Sequence, residues 1–337
     1  MKKFLILFIV IFAIATNFSK AIAQGNNLYV ADKKIALPGD GGYDYLFIDQ
    51  QNRRLYVSHG TTVNVINLDT DELAGTITGM QGNHGIVVVK NAGKGFVSDG
   101  KANAVIVFDL TTLKVTKTIP LSGKKPDAII YDPFSNLVFA FNGGSDNASV
   151  VDVNLLKEIA TIPLTGGPEF AVADGRGKIY NNIEDKNTMK VIDSKSLKVL
   201  DSYPLSPCGG PTGLALDSVN LRLFTACREN KGMSVLDMQS GKVITTIPIG
   251  AGVDAVAYDA ETKLIFCSNG DATTTIIKQQ SADKYEVVQT LTTQARAKTL
   301  ALDTKTHKIY LSVVDFEPGT KNVVKGTFKV LVFKPNN

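Results

Sequence analysis

Seven residues stand at matching points of a recurring pattern: Asp44, Gly85, Asp127, Glu169, Thr212, Asp254 and Lys298. Five of the seven are charged, whereas charged residues are 20% of the chain, so this enrichment asks for a cause. Carboxylates gathered at one place can bind a hard cation such as calcium, which takes about six to eight oxygen ligands. They can also grip a small charged ligand, or one of them, its pKa raised by like charges, can act as a general base. Asp44, Asp127, Glu169 and Asp254 are therefore the metal candidates, and Lys298 is the charge that would offset their repulsion. Neighbouring positions add Tyr43, His84, Lys125 and Arg296, and loops one strand further on add His59, Asp99, Asn142, Asn182, Arg228 and Asn269. Solvation alone also favours polar residues at such points, so the set marks a place rather than a reaction.

Other chemistries find less support. His59 and His84 lack the short spacing of a helical metal-ligand pair, and His307 falls in a turn and is expected to be solvated. No Gly-x-Ser-x-Gly elbow occurs. The glycine pairs Gly41-Gly42, Gly143-Gly144, Gly166-Gly167 and Gly209-Gly210 open no helix, which excludes phosphate-binding loops and leaves them as turns.

The elements that must position these residues come from a repeat. Apolar runs closing on a polar residue recur at Leu46-Phe47-Ile48-Asp49, Val87-Val88-Val89-Lys90, Ile129-Ile130-Tyr131-Asp132, Ala171-Val172-Ala173-Asp174, Leu214-Ala215-Leu216-Asp217, Ala255-Val256-Ala257-Tyr258-Asp259 and Leu300-Ala301-Leu302-Asp303. Their last residues are 41, 42, 42, 43, 42 and 44 apart. Units this short cannot bury a core alone, and so steady a period indicates a closed or stacked array. Each unit continues with an aromatic or β-branched second strand, a third strand, and an alternating outer strand ending in Thr-Ile-Pro or a variant, as at Thr118-Ile119-Pro120. Proline suits an edge strand, and four strands per unit make a propeller blade.

The predicted fold is all-β, a seven-bladed β-propeller with four antiparallel strands per blade, forming one domain over 24–337. Blades span roughly 43–79, 84–121, 126–164, 168–205, 211–249, 253–292 and 297–333. The last unit stops after its third strand, while segment 28–37 reads as an orphan fourth strand, so the N-terminal strand is expected to complete the C-terminal blade and remove the open edge. The seven matching points then share one mouth of the central channel.

The strands Tyr56-Val57-Ser58, Phe96-Val97-Ser98 and Val191-Ile192-Asp193, with Gly210-Pro211-Thr212-Gly213-Leu214-Ala215, resemble the YVTN-repeat β-propeller family of YncE-like periplasmic and surface proteins, over 28–333. Ile179-Tyr180-Asn181-Asn182 and Leu223-Phe224-Thr225-Ala226 keep only the hydrophobic shape of the tetrapeptide. The resemblance implies a binding or surface protein, with relatives among sugar lactonases.

Placed on the repeat, Cys208 and Cys227 fall on the same face of blade five, which makes a disulfide feasible in an oxidising compartment. Cys267, inside a second strand, is expected to be a buried free thiol. Met1-Lys2-Lys3, an apolar run from Phe4 to Ala15 and Ala21-Ile22-Ala23 form a signal-peptide pattern over 1–23 with cleavage after Ala23. No cysteine follows the run, which argues against lipid anchoring, and no later segment is apolar enough to span a membrane. A periplasmic or secreted monomer is expected.

The formal charge of +4 includes Lys2, Lys3 and Lys20, whose removal leaves +1, and the remaining lysines are scattered through turns. Nucleic-acid binding is not favoured. Function is then expected to be non-catalytic binding of a small molecule, glycan or protein partner at the mouth, through Tyr43, Asp44, His59, His84, Asp127, Glu169, Arg228, Asp254, Arg296 and Lys298. A metal-dependent hydrolase or lyase of the lactonase-like type is the alternative, and a surface scaffold the third. The long stretch 314–326 in blade seven reads as a lid or a partner-binding hairpin, or as drift in loop length.

Overall fold

The computed structural model describes residues 27–336, and the expected leader over 1–23 with its cleavage point lies outside them. The described residues form seven four-stranded antiparallel sheets. In blade one these are Tyr43–Asp49, Arg54–His59, Thr62–Asn67 and Glu72–Ile77. Blades two to six repeat the plan, with innermost strands at Asn83–Val89, Pro126–Asp132, Pro168–Ala173, Pro211–Asp217 and Ala255–Asp259. Blade seven contributes Leu300–Leu302, Ile309–Val313 and Lys329–Pro335, and Tyr29–Ala36 supplies its outer strand.

The acidic residue that closes so many strands has a local cause. Asp49 Oδ1 accepts the backbone N–H groups of Gln51 and Asn52, each at 3.1 Å. Asp109 Oδ1 does the same for Thr111 and Thr112 at 3.0 and 2.8 Å. Such side chains satisfy turn amides that the ladder cannot reach. Four residues after these turn aspartates the chain is left-handed at Arg53, Asn136, Leu221, Lys263 and His307, with φ between 53° and 58°.

Adjacent blades pack through apolar wedges, as where Phe96 and Val107 meet Ile129 and Val138. Each second strand also inserts one ring at the same position: Tyr56, Phe96, Phe139, Tyr180, Phe224, Phe266 and Tyr310, none more than 1% exposed. Burial of each contributes about 1.5–3 kcal/mol, which explains why a short motif centred on that aromatic recurs in every unit.

Closure is a ladder plus two polar latches. Tyr29 pairs with Pro335 and Ala36 with Lys329, with an irregularity between Ala31 and Lys33. Arg53 of blade one donates to both oxygens of the fully buried Asp303 of blade seven, at 2.7 and 2.6 Å. Blade seven is tied back to blade six by His307, whose Nδ1 lies 2.6 Å from Asp259 Oδ2. His307 is thus a latch between blades, not the solvated turn residue expected, because its left-handed turn points the ring at the neighbouring turn carboxylate. Cys208 and Cys227 are joined by a disulfide, with Cα atoms 5.1 Å apart. Cys267 is a buried free thiol, and burial raises its pKa.

Candidate functional site

The ladder register decides which residues reach the channel mouth. Tyr43 pairs with His59, Asn83 with Asp99, Pro126 with Asn142, Pro168 with Ile183, and Pro211 with Cys227. Pairing then lapses for two residues in each of these five blades before it resumes. The first residue in that gap is Asp44, His84, Asp127, Glu169 or Thr212. Blade two therefore presents His84 rather than Gly85, because Lys90 begins a short 3₁₀ turn and its strand already ends at Val89. With Asp254 and Lys298 from blades six and seven, six of the seven mouth residues are titratable.

A second repeated device holds these residues. Two positions after the buried ring of each second strand stand Ser58, Ser98, Asn182, Ser268 and Ser312, with Phe141 and Ala226 as the exceptions. Ser98 donates to the carbonyl of Asp127, Asn182 to that of Thr212 at 2.8 Å, Ser268 to that of Lys298 at 2.5 Å and Ser312 to that of Asp44 at 3.3 Å. Blades two, four, six and seven thereby fix the backbone of the next blade's mouth residue, whereas Ser58 of blade one reaches Asn83, one residue before His84. The fit is close: a Cβ on Gly213 would lie 2.7 Å from Ala255 Cα.

Below this ring Tyr45 and Phe170 meet with centroids 4.7 Å apart. They belong to blades one and four, which are not neighbours, so the contact crosses the channel axis and gives the mouth an aromatic floor. At the far end of the bore a cavity of about 530 Å³ is lined largely by Phe47, Val87, Ile129, Tyr131, Val172 and Leu216. One end of the channel is charged and the other apolar.

Within the mouth the charges divide into two groups. On one side Asp44 Oδ2 lies 2.7 Å and Asp127 Oδ1 3.8 Å from His84 Nδ1. On the other side Asp254 is clamped between Arg228 and Lys298, and Arg228 also reaches Glu184 at 2.7 Å. Burial, reinforced by Asp44, pushes the Asp127 carboxyl up to about 6. Burial, followed by Asp127 and Glu184, pushes Glu169 up to about 9, so it is protonated at neutral pH. For His84 burial alone would lower the pKa, but Asp44 and Asp127 outweigh it and the net shift is upward. Asp254 does the same for Lys298 and Arg228 against their own burial.

The four carboxylates expected to share a hard cation are therefore not gathered as one set. Asp254 is occupied by two cations and Glu169 holds a proton, whereas Asp44, His84 and Asp127 bring potential ligand atoms within 4.8 Å of one another. Two further expectations change. His59 is buried in the wall, stacked on Phe328 at 3.7 Å with both ring nitrogens unpartnered, because the loop before blade one folds over it. Arg296 gives only its carbonyl to the rim, accepting from the Tyr43 hydroxyl at 2.8 Å. Its guanidinium turns outward over Phe316 at 3.9 Å and donates to the Thr320 carbonyl, pinning the 314–326 hairpin. Glu184, Tyr45 and Phe170 were not anticipated; the last two immediately follow mouth residues of the repeat, which was the available signal.

Ring and mouth together define a seven-bladed β-propeller with a polar, mixed-charge channel opening. No family model matches the chain. It is 26% identical over 181 residues to antigen Lp49 of Leptospira interrogans serogroup Icterohaemorrhagiae serovar copenhageni, a match covering 51% of this chain and 39% of that protein. It is 24% identical over 225 residues to the uncharacterized protein YncE of Salmonella typhi, covering 63% of each. The matches thus span less than two thirds of these curated relatives. Kuenenia stuttgartiensis hydrazine synthase shares the fold, with a TM-score of 0.71 over 91% of this chain and 97% of that one at 14% identity. The chain is a seven-bladed β-propeller that is similar in sequence to YncE and to antigen Lp49. Among the described residues no helix is long and apolar enough to cross a membrane.

Proposed function

We propose that this propeller is an exported, non-catalytic binding protein that takes a small polar ligand, a glycan unit in the first instance, at the charged mouth. One observation carries the reading. Hydrogen-bonding groups of both signs, Asp44, Glu169, Arg228 and Lys298 among them, surround an aromatic floor of Tyr45 and Phe170. Ligand sites commonly combine an apolar surface with a few placed polar groups, and a sugar ring offers one apolar face and a rim of hydroxyls. The protonated Glu169 adds a donor where a carboxylate would only accept. The signal-peptide pattern supports a periplasmic or secreted location. A protein partner remains compatible with the same surface through the 314–326 hairpin, where Val323 and Val324 are exposed.

The lactonase-like alternative draws on a different observation, the carboxyl of Asp127 with its pKa near 6, which suits a general base. Calorimetric titration against a panel of mono- and oligosaccharides decides between them. Binding should weaken at least tenfold in Arg228→Ala and in Glu169→Ala, which removes the donor. Turnover of a lactone or ester that is lost in Asp127→Asn would replace the binding reading with the enzymatic one, and saccharide affinity unchanged in both binding variants would refute it.

A further inference from the structure

We propose that Asp44, His84 and Asp127 form a site for a single divalent transition-metal ion of the zinc or cobalt kind. The site occupies part of the mouth but does not rest on the glycan reading, since an ion would bind with no organic ligand present.

Four observations on separate elements support it. The three potential ligand atoms come from three consecutive blades and lie within 4.8 Å of one another. Tetrahedral coordination at about 2.0–2.2 Å places ligand atoms some ~3.4 Å apart. The observed separations of 2.7 Å and 3.8 Å from His84 Nδ1 bracket that value. Asp127 Oδ1 is shielded from solvent and has no hydrogen-bond partner, an acceptor left open toward the imidazole. The backbone of two ligands is fixed in advance, with Ser98 on the Asp127 carbonyl and Thr299 and Ser312 on that of Asp44.

The fourth observation is Gly100. Its backbone is not left-handed, so glycine is not required there for conformation, yet a Cβ would come within 2.8 Å of His84 Nε2 and 2.9 Å of its neighbouring carbon. The missing side chain makes room for the imidazole. Cavities of about 320 and 470 Å³ flank His84 on either side, which leaves open positions for water or an exogenous ligand.

Ligand type selects the ion. One imidazole and two carboxylates suit zinc, cobalt or manganese, whereas calcium calls for more oxygen atoms than two aspartates provide. On binding, the ion takes the place of the proton that His84 Nδ1 now shares with Asp44, and that proton passes to solvent.

Chelator-treated protein titrated with Co²⁺, followed by visible absorption, tests the assignment. One equivalent should bind, be displaced by Zn²⁺ and resist excess Ca²⁺. His84→Ala and Asp127→Asn should each weaken Co²⁺ by at least about 100-fold, and Gly100→Ala, which removes no ligand, by about 10- to 100-fold. Glu169→Ala, which removes a saccharide donor but no ligand of the ion, should bind Co²⁺ as the parent does, which separates failure of this site from failure of the glycan reading. Absence of Co²⁺ binding by the parent, displacement by Ca²⁺, or undiminished binding by thermally intact His84→Ala or Asp127→Asn protein would overturn the assignment.

Discussion

At the foot of the ring Asp303 lies buried beside Arg53, and at the mouth Asp127 lies beside Asp44; the two carboxyls are shifted in opposite directions. Burial alone would raise both. At the foot it is outweighed by the two-point hydrogen bond from Arg53 and by Thr306, so Asp303 ends below the ordinary carboxylate range. Asp217 follows the same course, its burial offset by Asn220 and Gln279. At the mouth no cation compensates Asp127 or Glu169 fully, and both end above that range. Carboxylates whose partners are complete hold blades together. Those left short of partners are where an external partner has something to gain.

The largest blow to this contrast should come from the foot. Arg53→Ala leaves the buried Asp303 unpaired at the seam where the ring closes, and is expected to cost about 3–5 kcal/mol in denaturant unfolding. A loss below about 1 kcal/mol would mean that the latch is ornamental. Next is Ser98→Ala at the mouth. It removes the clamp on Asp127 and strands the Gly85 amide that Ser98 also satisfies at 2.8 Å, at about 1–3 kcal/mol. Loss of ligand affinity out of proportion to that destabilisation would mark the clamp as a positioning device.

The smallest effect sharpens the comparison most. Glu169, with its folded pKa raised to about 9, binds its proton more tightly folded than unfolded. Its contribution is present at low pH and lost as pH rises from the ordinary glutamate range through about 9. Asp217 and Asp303 behave oppositely: their contribution stands at neutral pH and disappears as acid carries the solution through their lowered values. Glu169→Gln should therefore leave stability near pH 4, below the ordinary glutamate range, nearly unchanged and become more stable than the parent near pH 9, by on the order of 1 kcal/mol once screening at the open mouth is allowed for. Unfolding curves at the two pH values, with Asp303→Asn alongside to erode the acid limb instead, check the sign.

Sequence carried the repeat far because each strand announces itself locally. The apolar run, the turn aspartate and the buried aromatic answer to forces within a few residues, so blade number, strand order and the closing role of Tyr29–Ala36 were legible. The mouth was legible as a set of positions but not as a set of contacts. The shift from Gly85 to His84 arose because Lys90 imitates the polar residue that ends other strands. Clamping of Asp254 by Arg228 and Lys298, the turning away of Arg296 and the stacking of His59 on Phe328 all depend on rotamers chosen across blade boundaries. No spacing along the chain encodes these.

Pairing of Tyr29 with Pro335 puts both termini of the described chain side by side on one outer edge. Tension applied between them would not shear that ladder; it would peel it, loading one pair of hydrogen bonds at a time like a zip. The ring should accordingly open at low force from blade seven inward, with the Arg53 and His307 latches as the first firm stops, whereas a chain permuted to begin in another blade would yield at a different seam.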